Sequence, residues 1–340
     1  MSIQWFPGHM HLTKKAITAR VKDGIDVVIE LLDARAPGSS ANPLLAQLTQ
    51  GKPALKVLNK QDLADPARTE LWLAHYNSLP ETQALGLDAS ITAPAQRLIT
   101  ACRALAPLRG GMAKPMRVLI CGIPNVGKST LINTLVGKRA AKTGDEPGIT
   151  KLEQRIALAS DFYLYDTPGM LWPKITIEKG GYNLAATGAV GRNALDEELV
   201  AVELLATLRR DYAGQVEARY KLTDTTALND EELLAAIGRK RGAVLGGGKI
   251  HLQKAAEIVI HDYRNGILGR ITLETPEEFL VWAAEAAIAE AVRQERKARK
   301  GRRAAVPSSV GENESAESDE SSDDFFTSDG ADGVDEPVDN

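Results

Sequence analysis

Cysteine is nearly absent from this chain of 340 residues, which holds only Cys102 and Cys121. Two thiols cannot build a disulfide framework or a four-thiolate zinc site. Cys121 also closes an apolar run, Val118-Leu119-Ile120-Cys121, so a reducing cytoplasm is the expected compartment. Long apolar runs are missing too: no stretch approaches the ~20 residues of a membrane span. The N-terminus from Met1 to Met10 lacks a basic-then-apolar leader pattern, so no membrane association is expected. Basic residues are absent from the C-terminal end, where Glu312 to Asn340 carry 12 acidic side chains and no Lys or Arg. Without that tail, 41 Lys+Arg stand against 33 Asp+Glu, a surplus of eight on the body. A basic body suits nucleic acid, and equally an ordinary solvated surface.

What is present divides along the chain. Up to about residue 178, short apolar runs alternate with helical patterns: Asp26–Leu32, Pro53–Leu58, Arg117–Cys121 and Phe162–Tyr165. Short buried strands separated by helices predict a doubly wound, mostly parallel sheet. From 179 to 303 the pattern is that of amphipathic helices, as in Leu199–Leu205 and Lys249–Ile260, and predicts a smaller helical domain. Residues 304–340, rich in Ser, Asp, Glu and Gly, lack the apolar content of a core, so a disordered acidic tail is expected. The length suits roughly two domains.

The strongest local signal is Gly122-Ile123-Pro124-Asn125-Val126-Gly127-Lys128-Ser129, placed after one apolar run and before a helix. Such a loop turns backbone N–H groups toward phosphates, through Asn125, Val126, Gly127 and Thr130 among others. Lys128 reaches the outer phosphates, and the Ser129 hydroxyl ligates Mg2+ at a helix N-terminus. Asp166-Thr167-Pro168-Gly169 ends another run; it supplies a second magnesium carboxylate, Asp166, and a backbone N–H at Gly169 for the terminal phosphate. Between the two lies Gly144–Thr150, punctuated by glycine and proline. Thr150 is the candidate switch ligand for magnesium, with a plain surface loop as the alternative.

Asn59-Lys60-Gln61-Asp62 selects the base. The Asp62 carboxylate accepts from the ring N–H and the exocyclic amine of guanine, a donor pair adenine lacks, while Asn59 braces the loop and the Lys60 stem covers the base. GTP is therefore expected over ATP. Asp88-Ala89-Ser90 is the candidate for touching the guanine carbonyl, through Ala89 and Ser90. Ligands of doubly wound sheets sit at the carboxyl ends of the strands, and Asn59, Gly122 and Asp166 each follow such a run. Yet the base reader precedes the phosphate loop, the reverse of the ordinary GTPase order, which reads as circular permutation.

With this motif order and the opening Trp5-Phe6-Pro7-Gly8-His9-Met10, the chain resembles the ribosome biogenesis GTPase A (YlqF) family of circularly permuted GTPases. The resemblance runs from about residue 2 to Glu274; it takes in Asp33-Ala34-Arg35-Ala36-Pro37 and Asp262–Leu273 but not the acidic tail. It implies a GTPase that binds the precursor large ribosomal subunit as a monomer and leaves on hydrolysis, with a helical domain that touches ribosomal RNA. Met170 stands where many GTPases place a water-orienting Gln, and the resemblance implies His9 in that role, against the alternative that Trp5, Phe6 and His9 merely pin the N-terminus. Asn125 matches the asparagine of potassium-dependent GTPases, so K+ joins Mg2+ as a candidate, a loop-bracing amide being the other reading.

For RNA phosphates the candidates are Arg239, Lys240, Arg241, Lys249, Lys254, Arg264 and Arg270, set around glycine-rich turns. Two other functions stay open: a nucleotide-sensing RNA-binding scaffold with negligible hydrolysis, and a permuted GTPase of small-subunit maturation. The latter usually carries a Cys/His zinc module that two cysteines cannot supply.

Overall fold

Six strands and twelve helices frame the computed structural model, which describes residues 9–88, 94–136, 154–191 and 196–304. The strands are β1 (Val27–Asp33), β2 (Ala54–Asn59), β3 (Thr82–Gly86), β4 (Met116–Gly122), β5 (Gln154–Ala159) and β6 (Phe162–Asp166), in the spatial order β3-β2-β1-β4-β6-β5. All pairings are parallel except β5 with β6. Both faces are covered: every residue of β1 is buried, as a central parallel strand requires.

The two edge strands, β3 and β5, fall outside the four apolar runs. β5 mixes Gln154 and Arg155 with Ile156, Leu158 and two alanines, and only one of its edges pairs with a strand. Ser160 and Asp161 turn it directly into β6, and so tight a link permits only antiparallel pairing.

The chain moves outward from β1 through β2 to β3, then crosses to β4 on the other side of β1. That reversal makes a crevice between the carboxyl ends of β1 and β4, the place where doubly wound sheets bind ligands. Around the sheet pack α1 (His9–Lys22), the short α2 (Pro37–Ser40) and α3 (Pro43–Leu48), α4 (Pro66–Asn77), α5 (Ala95–Leu105) and α6 (Lys128–Val136). Asn42 and Asp65 cap α3 and α4 with side-chain oxygens, each followed by proline in the first turn, as a helix start favours.

The rest is helical: α7 (Glu178–Thr187), α8 (Glu197–Asp211), α9 (Ala213–Tyr220), α10 (Asp230–Lys240), α11 (Leu252–Arg264) and α12 (Pro276–Ala304). A capping box between Asn229 and Glu232 starts α10. One apolar cluster at the sheet takes in Ile29, Leu31, Leu119, Ile120 and Leu164. The helices enclose another, built on Leu204, Leu208, Ile237, Val259 and Tyr263. Both clusters belong to one compact unit, Met1–Arg293; Gln294–Asn340 is a second. No helix among the described residues is long and apolar enough to cross a membrane.

Candidate nucleotide-binding site

Four neighbouring strands deliver the motifs to one edge. β2 ends at Asn59, β1 at Asp33, β4 at Gly122 and β6 at Asp166. In register, Asp33 pairs with Asn59, Leu31 with Gly122 and Ile120 with Asp166. The inverted motif order has no spatial consequence, because adjacency in the sheet is set by strand pairing.

The base reader is bonded to the phosphate loop. The Asn59 amide donates to the carbonyl of Val126 at 2.8 Å, and the Lys60 ammonium to the carbonyl of Asn125 at 2.8 Å. Gly127, at φ +93°, passes so close to Asn59 that a Cβ there would collide with the amide nitrogen, so only glycine combines this backbone with this approach. Lys60 takes the left-handed conformation (φ 62°) and turns the chain into a 3-10 turn, Gln61–Leu63, on which the Asp62 carboxylate stands exposed.

Beneath this loop sits a buried ionic group. Asp33 accepts from Arg35 Nε at 2.9 Å and Nη2 at 2.8 Å, a two-pronged pair, and from Lys60 Nζ at 3.0 Å. Burial alone would raise the Asp33 carboxyl, but the charges of Arg35 and Lys60 and their hydrogen bonds outweigh it and hold it well below the usual carboxylate range.

The phosphate end is assembled from β4, α6 and β6. Lys128 opens α6 and is buried, its ammonium paired with Asp166. Ser129 and Thr130 follow in the first turn, with Thr130 exposed. Gly169 lies against Pro124, where a Cβ would come within 3.0 Å of the backbone. A serine hydroxyl at a helix N-terminus and a buried carboxylate are hard oxygen donors, so Ser129 and Asp166 fit magnesium. Met170 turns away. Its N–H donates to the Gly122 carbonyl at 3.1 Å, its carbonyl accepts from Asn42 at 2.7 Å, and its side chain is fully buried in the sheet cluster.

The site is also tied to the helices, and here sequence reasoning missed residues. α7 ends in Gly188 at φ +87°, with Ala189 N–H donating to Leu184 and Gly188 N–H to Ala185, a glycine-terminated helix end. Its last carbonyls take donors from three places. Arg264 reaches Ala185 at 2.7 Å and Ala186 at 2.9 Å, Arg35 reaches Thr187 at 3.3 Å, and the Asn125 amide reaches Gly188 at 2.9 Å. Arg35 also donates to the carbonyl of Arg264 at 3.3 Å. The phosphate loop thus rests on α7, and α7 on the end of α11. Asp33-Ala34-Arg35 directly after the first strand was the available signal.

Of the basic residues considered for RNA, two donate to backbone carbonyls around the site. Arg264 acts as just described, and Arg270 donates to the carbonyls of Ala64 at 2.9 Å and Gln61 at 2.8 Å, bracing the base-reading turn. Arg241 donates to the Arg219 carbonyl and lies over Tyr220, and Lys254 pairs with Glu257. Arg239, Lys240 and Lys249 are exposed. Thr150, Ala89 and Ser90 lie outside the described residues, as do the side chain of His9, whose backbone begins α1, and the acidic tail.

A phosphate loop entering a helix from a central parallel strand, with the base reader bonded to it from an earlier strand, defines a circularly permuted P-loop GTPase domain. A model of the family described as 50S ribosome-binding GTPase matches residues 117–224. A Bacillus cereus protein named ribosome biogenesis GTPase A is 42% identical over 286 residues, covering 82% of this chain and 96% of that protein. Its Bacillus pumilus counterpart is 43% identical over 284 residues, covering 82% and 100%. The chain belongs to the ribosome biogenesis GTPase A family. A GDP-bound YlqF structure shares the fold, with a TM-score of 0.56 at 24% identity over 76% of this chain and 98% of that one.

Proposed function

We propose that this protein binds and hydrolyses GTP as a switch in late assembly of the large ribosomal subunit, docking on the precursor particle in its GTP state and leaving after hydrolysis. The observation that carries the nucleotide half is the pair of bonds from Asn59 and Lys60 to the phosphate-loop carbonyls. They fix the distance between base reader and phosphate cradle, so that one GTP spans both. The ribosomal half is supported by relatives named for ribosome biogenesis that align over most of the chain.

In this reading Asp62 accepts the two guanine donors and Lys60 lies along the base. The loop N–H groups from Asn125 to Thr130 and that of Gly169 hold the phosphates. When GTP enters, Lys128 transfers from Asp166 to the outer phosphates, which frees the carboxylate for the metal shell. Ser129, Asp166 and, in the GTP state, Thr150 would hold magnesium, which would supply charge neutralisation at the phosphates. Met170 is an anchor for the strand end and does not orient water. His9, entering from the N-terminus, accepts a hydrogen bond from the attacking water. Asn125 would hold a potassium ion through its amide oxygen, adding charge compensation, while its Nδ2 donates to the Gly188 carbonyl. The first 178 residues form the GTPase domain, and 179–303 a helical domain that meets ribosomal RNA through exposed Arg239, Lys240 and Lys249.

Sedimentation with separated ribosomal subunits, combined with turnover measured with and without them, tests the whole reading. Binding to the large subunit with a non-hydrolysable GTP analogue, weaker binding with GDP, and faster turnover on the particle are expected. Equal binding in both nucleotide states would remove the switch. Absence of stimulation would favour the RNA-binding scaffold, a reading that the buried Met170 keeps in play.

A further inference from the structure

In the sheet half, three exposed lysines share one helix: Lys14, Lys15 and Lys22 all lie on α1. Its inner face, Met10, Thr13 and Ile17, is buried. Its outer face carries His11, Lys14, Lys15, Thr18 and Lys22, which line a shallow groove. The helix contains no acidic residue. Neighbouring acids are engaged elsewhere: Asp23 pairs with Arg20 at 3.8 Å and Asp26 with Arg109 at 2.9 Å. α3, which packs against α1, has the sequence Pro-Leu-Leu-Ala-Gln-Leu and offers no carboxylate. Among the described residues no ion pair is found for the ammonium groups of Lys14, Lys15 and Lys22.

We propose that this face of α1 docks on the sugar-phosphate backbone of RNA in the assembling particle, a contact separate from the helical half; it rests on the ribosome-assembly reading above. Lys14 to Lys22 extend over roughly 12 Å at 1.5 Å per residue, a length matching several phosphates at about 3.4 Å of strand axis each. The chemistry selects phosphate over bases: the imidazole of His11 is the one ring in the groove, against three ammonium groups that are point charges without bidentate geometry. It also selects RNA over a protein partner. A protein interface needs a buried apolar or aromatic anchor, and Leu12, at the edge of this face, is the one large exposed apolar side chain on α1.

The test uses the full chain and a variant with Lys14→Glu, Lys15→Glu and Lys22→Glu. Association with purified large subunits and with deproteinised large-subunit RNA is followed against KCl concentration, with a non-hydrolysable GTP analogue bound throughout. Loss of three phosphate contacts should lower the log–log salt slope on RNA by about 2 and weaken binding at least tenfold, while GDP affinity and thermal melting stay as in the unaltered protein. Should charge reversal disturb the helix, glutamine at the same positions reads the same slope. An unaltered slope with unaltered affinity overturns the proposal, and so does loss of particle binding with RNA binding intact, which would assign the face to an acidic protein. Failure of the unaltered protein to bind particle or RNA would instead overturn the assembly reading itself.

Discussion

Two carboxylates are buried equally well in this molecule, and their surroundings push them in opposite directions. Asp33 sits under the base reader with Arg35 and Lys60 as cationic partners, and its carboxyl is held strongly acidic. Glu274 sits between α2 and α7, accepting from the Ser39 N–H at 2.7 Å, from the Ser39 hydroxyl and from Asn183 at 2.8 Å. Burial raises the Glu274 carboxyl above its ordinary 4.5, and these neutral donors offset only part of it. The difference is that between compensating a charge and merely hydrating it. At the nucleotide edge the charges are matched because the loop they hold must not move when phosphates arrive. At Glu274 hydrogen bonds suffice to join elements.

Arg35→Ala breaks the first centre and should have the largest effect. It leaves Asp33 buried beside Lys60 alone and removes the donors to Thr187 and Arg264. Stripping one partner from a buried pair costs about 3–5 kcal/mol, read as a shift of the urea midpoint. Arg35→Lys should recover only part of this, because one ammonium cannot span both Asp33 oxygens and two carbonyls. Loss below 1 kcal/mol would show that water enters and replaces the arginine. Asn59→Ala is a gentler break of the same edge. It leaves the Val126 carbonyl without its buried donor, about 1–3 kcal/mol, and should weaken GDP binding more than it lowers the melting temperature would imply, since the loop it frees is the phosphate cradle. Equal loss in global stability and in binding would reduce Asn59 to a packing residue.

Why the site was legible and its supports were not follows from distance along the chain. Asn59–Asp62, Gly122–Ser129 and Asp166–Gly169 are local spellings whose chemistry can be read in place, and each follows a buried strand. The four inner strands were legible for the same reason; β3 and β5, at the two edges, fall outside the apolar runs. Arg35, Arg264 and Glu274 act on residues 152, 78 and 235 positions away. Nothing local distinguishes an arginine that caps a distant helix from one that awaits RNA. The exposed lysines of α1 escaped notice for the converse reason: unpaired charge becomes visible only when the fold shows which acids are occupied.

The two centres should respond to pH with opposite sign, and Glu274→Gln sharpens that contrast. Asp33, acidified in the fold, contributes stability that is present above the ordinary carboxylate range and is lost as pH falls through its folded pKa. Glu274, whose folded pKa is raised, contributes most at acid pH and loses that contribution as pH rises through its folded pKa. Glutamine cannot ionise and keeps the shape, so the stability of the variant relative to the unaltered protein should climb as pH rises above the ordinary carboxyl value of 4.5. Denaturant midpoints of both proteins from mildly acidic to neutral pH measure the slope. A difference that stays flat across that range would mean that the bonds from Ser39 and Asn183 compensate the Glu274 charge as fully as Arg35 and Lys60 compensate Asp33, and the contrast between the two centres would vanish.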